Sequence, residues 1–140
     1  MQLSVMILAA ALLADPSPSA ESPVKIIVNA SNPVTTLSRE QVSRLFLKKQ
    51  IRWEDGRAVR PIEFGDRGLQ EIFARDFHRK SWDSVERYWQ ELVFSAREGR
   101  PVVLAKEAAV VALAAKDPGA IAYLSHDPGD PRVRVITVTP

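Results

Sequence analysis

The sequence predicts a single α/β domain in which a small mixed β-sheet is flanked by helices in a three-layer-like arrangement. With 140 residues the chain has room for one domain, and its hydrophobic fraction of 46% and charged fraction of 26% are typical of a soluble globular protein. Short apolar or β-branched runs alternate with stretches of helical periodicity, in the order β, α, β, α, α, α, β, β. Because strands separated by helices need crossover connections, this order favours a sheet that contains parallel strands.

The N-terminal segment differs from the rest of the chain. Leu3 to Ala14 is a nearly unbroken apolar run, which is too short for a membrane-spanning helix of about 20 residues. A polar, proline-containing stretch follows and ends in the small residue Ala20, as in a secretory signal peptide. We therefore predict a signal peptide at residues 1–20, cleaved after Ala14 or Ala20, and a mature domain at 21–140 that is periplasmic or secreted and has no membrane span. The alternative is a buried N-terminal helix, since no lysine or arginine precedes the apolar run.

The first predicted strand and helix have clear boundaries. Val24 to Val28 is a β-branched run, which is typical of a buried strand. Ser38 is a suitable N-cap for the following helix, and Gln41 at the third helical position completes a capping box. Leu37 and Val42 are spaced as a hydrophobic staple across the same helix start. The rest of this helix has an apolar stripe and a basic last turn: Val42, Leu45, Phe46, Lys48 and Lys49.

The segment from Pro61 to Phe77 is predicted to form a strand, a glycine loop and a helix. Apolar residues alternate with Glu63, which is the period of a half-buried strand. Gly65 and Gly68 allow a tight turn that can approach a partner closely. The helix that follows has free N–H groups in its first turn, where an anion can bind; the alternative is an ordinary strand-to-helix connection, which also favours glycine. Its apolar face consists of Leu69, Ile72, Phe73 and Phe77.

The C-terminal half is predicted to contain two further helices and two strands. Ser81 caps a helix whose apolar face includes Trp89, and we expect that side chain to be buried. The Asp117-Pro118-Gly119 sequence ends an alanine-rich helix, and we expect Ile121 in the following strand to be buried as well. The full apolar face of the Ser81 helix is Trp82, Val85, Trp89 and Leu92, broadened by Tyr88 and Phe94. Glu98 to Pro101 breaks this helix, and the alanine-rich helix runs from about Ala105 to Ala115. The two strands are predicted at Ala120 to Leu124 and at Val133 to Val138.

Composition and motifs argue against several functional classes. The 19 basic and 17 acidic residues give a net charge of +2, a balance too even to favour nucleic acid as a partner. The chain has no cysteine, which excludes disulfides, thiol catalysis and cysteine-ligated zinc. It also lacks an HExxH sequence, a serine elbow, a P-loop and a dinucleotide fingerprint. Two histidines are close in sequence to a carboxylate, in the pairs Asp76 with His78 and His126 with Asp127. No motif supplies a nucleophile that either pair could activate. We therefore predict a protein that is not an enzyme and that uses no metal or cofactor.

Four stretches of the sequence, in order, carry a resemblance to a known family. They are Asn32 to Val42 running on to Leu45-Phe46, the turn at Trp53, the central unit ending in Phe73, and Asp117 to Leu124. In this order they resemble the phosphate ABC transporter substrate-binding family of the type 2 periplasmic binding protein superfamily. The last stretch is similar to the family's Pro-Gly-Ala-Ile-Gly-Tyr-Val, with Ala122 in place of glycine. The resemblance extends over Val24 to His126 and implies the fold of one lobe, whereas family members usually have two lobes that close on a ligand.

The resemblance implies a site for a small anion such as phosphate at the start of the central helix, and an ABC permease as a partner. Gly68 matches the central glycine of the family's Ser-Gly-Thr sequence, Arg67 stands in place of serine and Leu69 in place of threonine. Glu63 stands close to the position of a phosphate-binding arginine. The residues themselves add the Arg67 guanidinium and a nearby arginine, Arg60, as cationic groups. The candidate anion-binding residues are Arg60, Arg67, Gly68 and Leu69.

Two functions remain open at the level of sequence. The first is an extracytoplasmic solute-binding-like protein for phosphate or another small oxyanion in ABC transport, in which a homodimer could enclose a ligand that one lobe leaves in water. The second is a non-catalytic interaction or accessory module that keeps the lobe fold without ligand binding. A further set of residues could form a basic surface or simply solvated helix ends: Arg75, His78, Arg79, Lys80, Arg97 and Arg100.

Overall fold

A computed structural model describes residues 22–94 and 99–140. The predicted signal peptide, its cleavage sites and Arg97 lie outside these residues. The strands are β1 (Lys25–Asn29), β2 (Thr36–Ser38), β3 (Arg60–Phe64), β4 (Val102–Leu104), β5 (Ala120–Leu124), β6 (Val133–Val135) and β7 (Thr137–Thr139). The α-helices are α1 (Arg39–Phe46), α2 (Arg67–Phe73), α3 (Trp82–Phe94) and α4 (Glu107–Lys116), and a π-helix at Ala74–His78 continues α2.

Five of the strands form one mixed sheet in the order β4-β3-β5-β1-β6. β3 runs parallel to both of its neighbours, β4 and β5, whereas β1 runs antiparallel to β5 and β6. The short strands β2 and β7 form a separate parallel pair. This confirms the predicted mixed α/β class. The sequence prediction lacked β2 and β4, and it joined β6 and β7, which the structure separates at Ile136.

Helices cover both faces of the large sheet. On one face, α1 and α2 bring Phe46 and Phe73 against Tyr123 of β5, and the Phe73 and Tyr123 rings stack with their centroids 4.2 Å apart. On the other face, Val110 of α4 packs in a cluster with Ile27 of β1. The arrangement of helix layer, sheet and helix layer therefore agrees with the predicted architecture.

The capping box and the two predicted core positions are confirmed. The Ser38 hydroxyl accepts a hydrogen bond from the Gln41 N–H at 3.1 Å, and the Gln41 side chain accepts one from the Ser38 N–H at 2.8 Å. Trp89 is 2% exposed and Ile121 is fully buried. Trp89 belongs to a cluster with Leu47 and Ala74, through which α3 packs on the outer side of α1 and the π-helix.

Three predicted details are wrong, each for a physical reason. Glu63 is buried rather than on the open side of a half-buried strand, because helices cover both faces of β3. Phe94 is 95% exposed, since it lies at the last position of α3, beyond the turns that contact the core. Lys48 lies outside α1, which ends at Phe46, and its backbone is left-handed with φ of 55°.

Within the described ranges, the helices are all too short or too polar to cross a membrane.

Candidate functional site

The candidate site lies at the carboxyl end of β3, where Gly65 and Asp66 lead into α2. The Gly65 N–H donates to the Leu104 carbonyl at 2.8 Å, which ties this loop to the edge strand β4. Asp66 is the N-cap of α2, and its carboxylate accepts a hydrogen bond from the Leu69 N–H at 3.0 Å. Gly68 is exposed, and a Cβ there would meet only the Asp66 carboxylate, at 3.4 Å. The loop therefore presents an open backbone at Gly68 beside a helix start that is partly capped by the protein's own carboxylate.

Arg67 is exposed beside Gly68 but is not isolated. Its Nε lies 3.0 Å from a Glu71 carboxylate oxygen, and its NH2 lies 3.8 Å from an Asp83 carboxylate oxygen. The guanidinium also lies over the Trp82 ring, 5.5 Å from the ring centroid. All three charged side chains are largely in solvent, where such ion pairs contribute little and rearrange easily. The cation is thus held near the loop while remaining accessible to a competing anion.

The other two predicted site residues have different positions. Leu69 is buried in the core, so it offers the site only its N–H, which already binds Asp66. Arg60 lies at the opposite end of β3 and pairs with Asp117, with 3.4 Å between its Nε and the carboxylate. A strand of this length spans roughly 16 Å. The structure therefore brings Arg67, Gly68 and Leu69 together and leaves Arg60 at the far edge of the sheet.

Glu63 lies on β3, two residues before Gly65, and its side chain is inside the fold. It is 1% exposed, and its Oε2 has no hydrogen-bond partner among the described residues; the same holds for the hydroxyl of Tyr123 on the neighbouring strand. Burial raises the pKa of Glu63 to about 7, while the positive charge of Arg100 opposes this rise and the negative charge of Glu86 adds to it. Arg100 is itself paired with Glu86, at 3.1 Å between NH1 and Oε2. The resemblance places a phosphate-binding arginine close to this position, and the structure has a buried glutamate there.

Sequence reasoning missed Asp66 as a cap and Glu63 as a buried group. Asp66 had a usable signal, because aspartate directly before a helix is a favoured N-cap. Glu63 had none, because alternation predicts one covered face and cannot reveal that helices cover two. Neither histidine contacts the carboxylate that neighbours it in sequence: His78 Nδ1 is 2.6 Å from the Ser43 hydroxyl, and His126 Nε2 is 3.2 Å from Glu107. In the described ranges, no three metal-ligating side chains come together.

The fold is shared with solved structures of phosphate-transport binding proteins. A protein from Clostridium perfringens, assigned as a phosphate ABC transporter substrate-binding protein and solved with bound phosphate, matches with a TM-score of 0.57 over 86% of this chain at 18% identity. An ABC-type phosphate transport receptor from Vibrio cholerae matches with a TM-score of 0.53 over 86% of this chain, also at 18% identity. A structure from Planctomyces limnophilus, described as a possible phosphate-binding protein, matches with a TM-score of 0.61 over 83% at 9% identity.

The match covers one lobe of these larger proteins. The chain spans 46%, 47% and 41% of the three structures respectively, which is about half of their length or less. No protein-family model matches the sequence, and no curated protein matches it. The likeness therefore defines the class of fold, a single lobe of the periplasmic binding protein type.

Proposed function

We propose that the protein is an extracytoplasmic, non-catalytic solute-binding protein that takes phosphate or another small oxyanion and acts with an ABC permease. The observation that carries the proposal is the open backbone of Gly68 beside the exposed Arg67 guanidinium, at the carboxyl end of a sheet strand. Ligands of open α/β sheets bind at that end of the strands. The fold shared with a phosphate-bound structure supports a small oxyanion as the ligand.

The expected affinity is weak. The Asp66 carboxylate already accepts the Leu69 N–H, and Glu71 and Asp83 compete for the Arg67 guanidinium. No serine or threonine hydroxyl stands at the positions flanking Gly68. A single lobe also leaves one side of the ligand in water, where charge interactions are screened. A second copy of the lobe could cover that side, in which case binding would strengthen with protein concentration.

The second candidate function is an interaction module that has kept the fold without the ligand. Asp66 favours it, because its carboxylate takes the hydrogen bond from the Leu69 N–H that an oxyanion would otherwise accept. In this alternative Arg67 serves only its surface pairs with Glu71 and Asp83.

Calorimetric titration of phosphate at low salt distinguishes the two functions. We expect weak binding by the wild type. Arg67→Ala should weaken it by about 1.5–3 kcal/mol, as for loss of a hydrogen bond to a charged group. Gly68→Asp should abolish binding, since it adds negative charge at an open position that accepts a side chain without a clash. Arg87→Ala removes an exposed arginine from α3 and is the matched control.

Absence of heat at millimolar phosphate, or equal binding by Gly68→Asp, would contradict the solute-binding proposal and favour the interaction module. Arg60→Ala tests the fourth predicted residue separately. Because Arg60 lies at the far end of β3, a loss of binding in this variant would move the site away from the Gly68 loop.

A further inference from the structure

A second concave surface lies between α1 and the end of the π-helix, away from the Gly68 loop. We call it the α1 groove, and it has a volume of about 360 Å³. That volume lies within the range of small-molecule sites, and the groove is lined mainly by charged and polar side chains. The residues that matter for its chemistry are Arg39, Ser43, Arg44, Lys49, His78 and Arg79.

The α1 groove concentrates positive charge. Four of its lining side chains are cationic, and Glu40 is the one acidic side chain among them. Pro140 also lines the groove. Like charges held around a concavity repel one another unless an anion is shared between them. The charge distribution therefore favours a negatively charged occupant.

Two of these cations lack an acidic partner. Within the described ranges, no carboxylate lies within ion-pair distance of Arg44 or Arg79. Exposed arginines elsewhere are of both kinds: Arg57 and Arg132 each pair with an aspartate at 3.1 Å or less, whereas, among the described residues, Arg52 and Arg87 donate only to the Gly56 carbonyl and the Ser84 hydroxyl. What distinguishes the groove is that two arginines without a carboxylate partner line the same concave surface.

Two of the buried residues that line the groove are polar and neutral. His78 and Ser43 are 8% and 9% exposed, and the His78 Nδ1 lies 2.6 Å from the Ser43 hydroxyl. Burial, together with the positive charges of Lys80 and Lys49, lowers the pKa of His78 to about 4, so the imidazole is neutral at pH 7. Neither group adds an anion that would cancel the cations above it, and both can hydrogen-bond to an oxyanion.

The backbone around the groove is irregular. The π-helix at Ala74–His78 ends in Arg79, whose φ of 54° and ψ of 38° are left-handed. Non-glycine residues seldom adopt this conformation, and single π-helical turns occur frequently at functional sites. The geometry places the Arg79 side chain on the groove lining next to His78.

We propose that the α1 groove is a second anion-binding site, which takes a small molecule carrying two or more negative charges on phosphate or carboxylate oxygens. Several charges are needed because the cations lie on two separate elements, with Arg44 on α1 and Arg79 after the π-helix. A concave site of this volume suits a small polyanion better than a polymer, which would contact an extended basic surface.

The test is calorimetric titration of the wild-type domain, using pyrophosphate in one arm and citrate in the other. We expect saturable binding of at least one probe, and the arm that binds more tightly identifies phosphate or carboxylate chemistry. Arg44→Ala and Arg79→Gly should each weaken it by about tenfold to a hundredfold. Glycine keeps the left-handed backbone of position 79 without steric cost, and Arg44 is exposed, so both variants should fold. Arg87→Ala should bind as the wild type does.

The two histidines locate the ligand independently. A bound anion next to His78 should raise its pKa, because nearby negative charge favours the imidazolium. His126 pairs with Glu107 outside the groove and serves as the internal reference. In NMR titrations of the imidazole protons, pyrophosphate or citrate should move the His78 titration and leave that of His126 unchanged. Equal movement of both histidines, or no heat from either probe, would overturn the proposal.

The outcome is separable from that for the Gly68 loop. Arg67→Ala should leave binding in the α1 groove intact, whereas Arg44→Ala should leave any phosphate binding at the Gly68 loop intact. If Arg67→Ala removes pyrophosphate binding and Arg44→Ala does not, the polyanion binds at the loop and the groove is not a site.

Discussion

Glu63 shows how one side chain can couple this fold to pH. Its carboxyl group is enclosed between β3 and the helices, and burial is the largest cause of a pKa near 7. The positive charge of Arg100 opposes this rise in the pKa, but its guanidinium is already hydrogen-bonded to Glu86. The folded protein therefore holds a proton on Glu63 at pH values where an unfolded chain has released it.

The predicted consequence is that the contribution of Glu63 to stability is lost as the pH rises from 4.5 to about 7. Below pH 4.5 Glu63 is protonated in both the folded and the unfolded protein, and its contribution to stability is fully present. Between pH 4.5 and about 7 only the folded protein keeps the proton. Above about pH 7 the contribution is lost. The total is about 3 kcal/mol, because each unit of pKa corresponds to about 1.4 kcal/mol. Glu63→Gln should remove this slope. Urea denaturation at a series of pH values measures it.

His78 acts in the opposite direction over part of this range. Its pKa is lowered from 6.5 to about 4, so its contribution is present above pH 6.5 and is lost as the pH falls towards 4. The two slopes oppose each other between about pH 4.5 and 6.5. Glu63→Gln should therefore leave a protein whose stability falls on acidification over that interval. An unchanged pH profile in this variant would show that Glu63 is ionised inside the fold.

At the scale of elements, local chemistry determined the helix boundaries well. The Ser38 and Gln41 side chains satisfy N–H groups that any helix start leaves open, so this boundary follows from neighbouring residues alone. The stop at Asp117-Pro118-Gly119 is equally local, and α4 ends at Lys116 directly before it. The same reasoning gave Ala120–Leu124 as a buried strand, because all five residues are apolar.

Elements whose existence depends on tertiary contacts could not be predicted in this way. β2 and β4 have three residues each, too few for a period, and they are strands only because β7 and β3 lie beside them. The π-helix has no sequence signal in a stretch with ordinary helical spacing. At the candidate site, Arg67 and Gly68 lie together because they are adjacent in sequence. Arg60 lies apart from them because it begins β3, whereas the Gly68 loop follows the end of that strand.

Helix α3 provides a matched pair of aromatic residues for testing its packing. Trp89 is 2% exposed and lies in the cluster that joins α3 to the rest of the fold, whereas Phe94 is 95% exposed on the same helix. Trp89→Ala should lower the free energy of unfolding by about 3–5 kcal/mol through lost burial and a cavity. Phe94→Ala should change it by less than about 0.5 kcal/mol. Denaturant unfolding of both variants measures the difference, and equal losses would show that α3 packs by another face.

At the scale of the whole molecule, the turn at Gly119 fastens the loop before β3 to the sheet. Its carbonyl accepts hydrogen bonds from the Trp53 indole N–H and from the Arg60 N–H, both at 2.9 Å. A Cβ at this position would collide with the carbonyl oxygen of Ala58. The atoms that this Cβ would meet, the carbonyl oxygen and carbon of Ala58, belong to the backbone and cannot move aside as a flexible side chain would.

Gly119→Ala should therefore destabilise the protein by about 1–3 kcal/mol or more, as overpacking does. Gly99→Ala is the control, because a Cβ at Gly99 has no atom within 4 Å and the backbone there is not left-handed. Thermal unfolding of the two variants checks the prediction. A melting temperature for Gly119→Ala equal to that of the control would mean that the loop before β3 moves freely relative to β5.

The strand order of the large sheet has a consequence for the growing chain. β1 is made first, yet both of its neighbours, β5 and β6, are among the last elements to be synthesised. Until β5 has been added, the apolar residues Ile26 to Val28 have no described strand to pair with, and β3 has only the short edge strand β4. The large sheet therefore stays incomplete for most of the synthesis of the described chain, and incomplete sheets expose strand edges that favour aggregation. A protease cut before Ala120 would separate β1, β3 and β4 from β5 and β6, so neither fragment alone could form the five-stranded sheet.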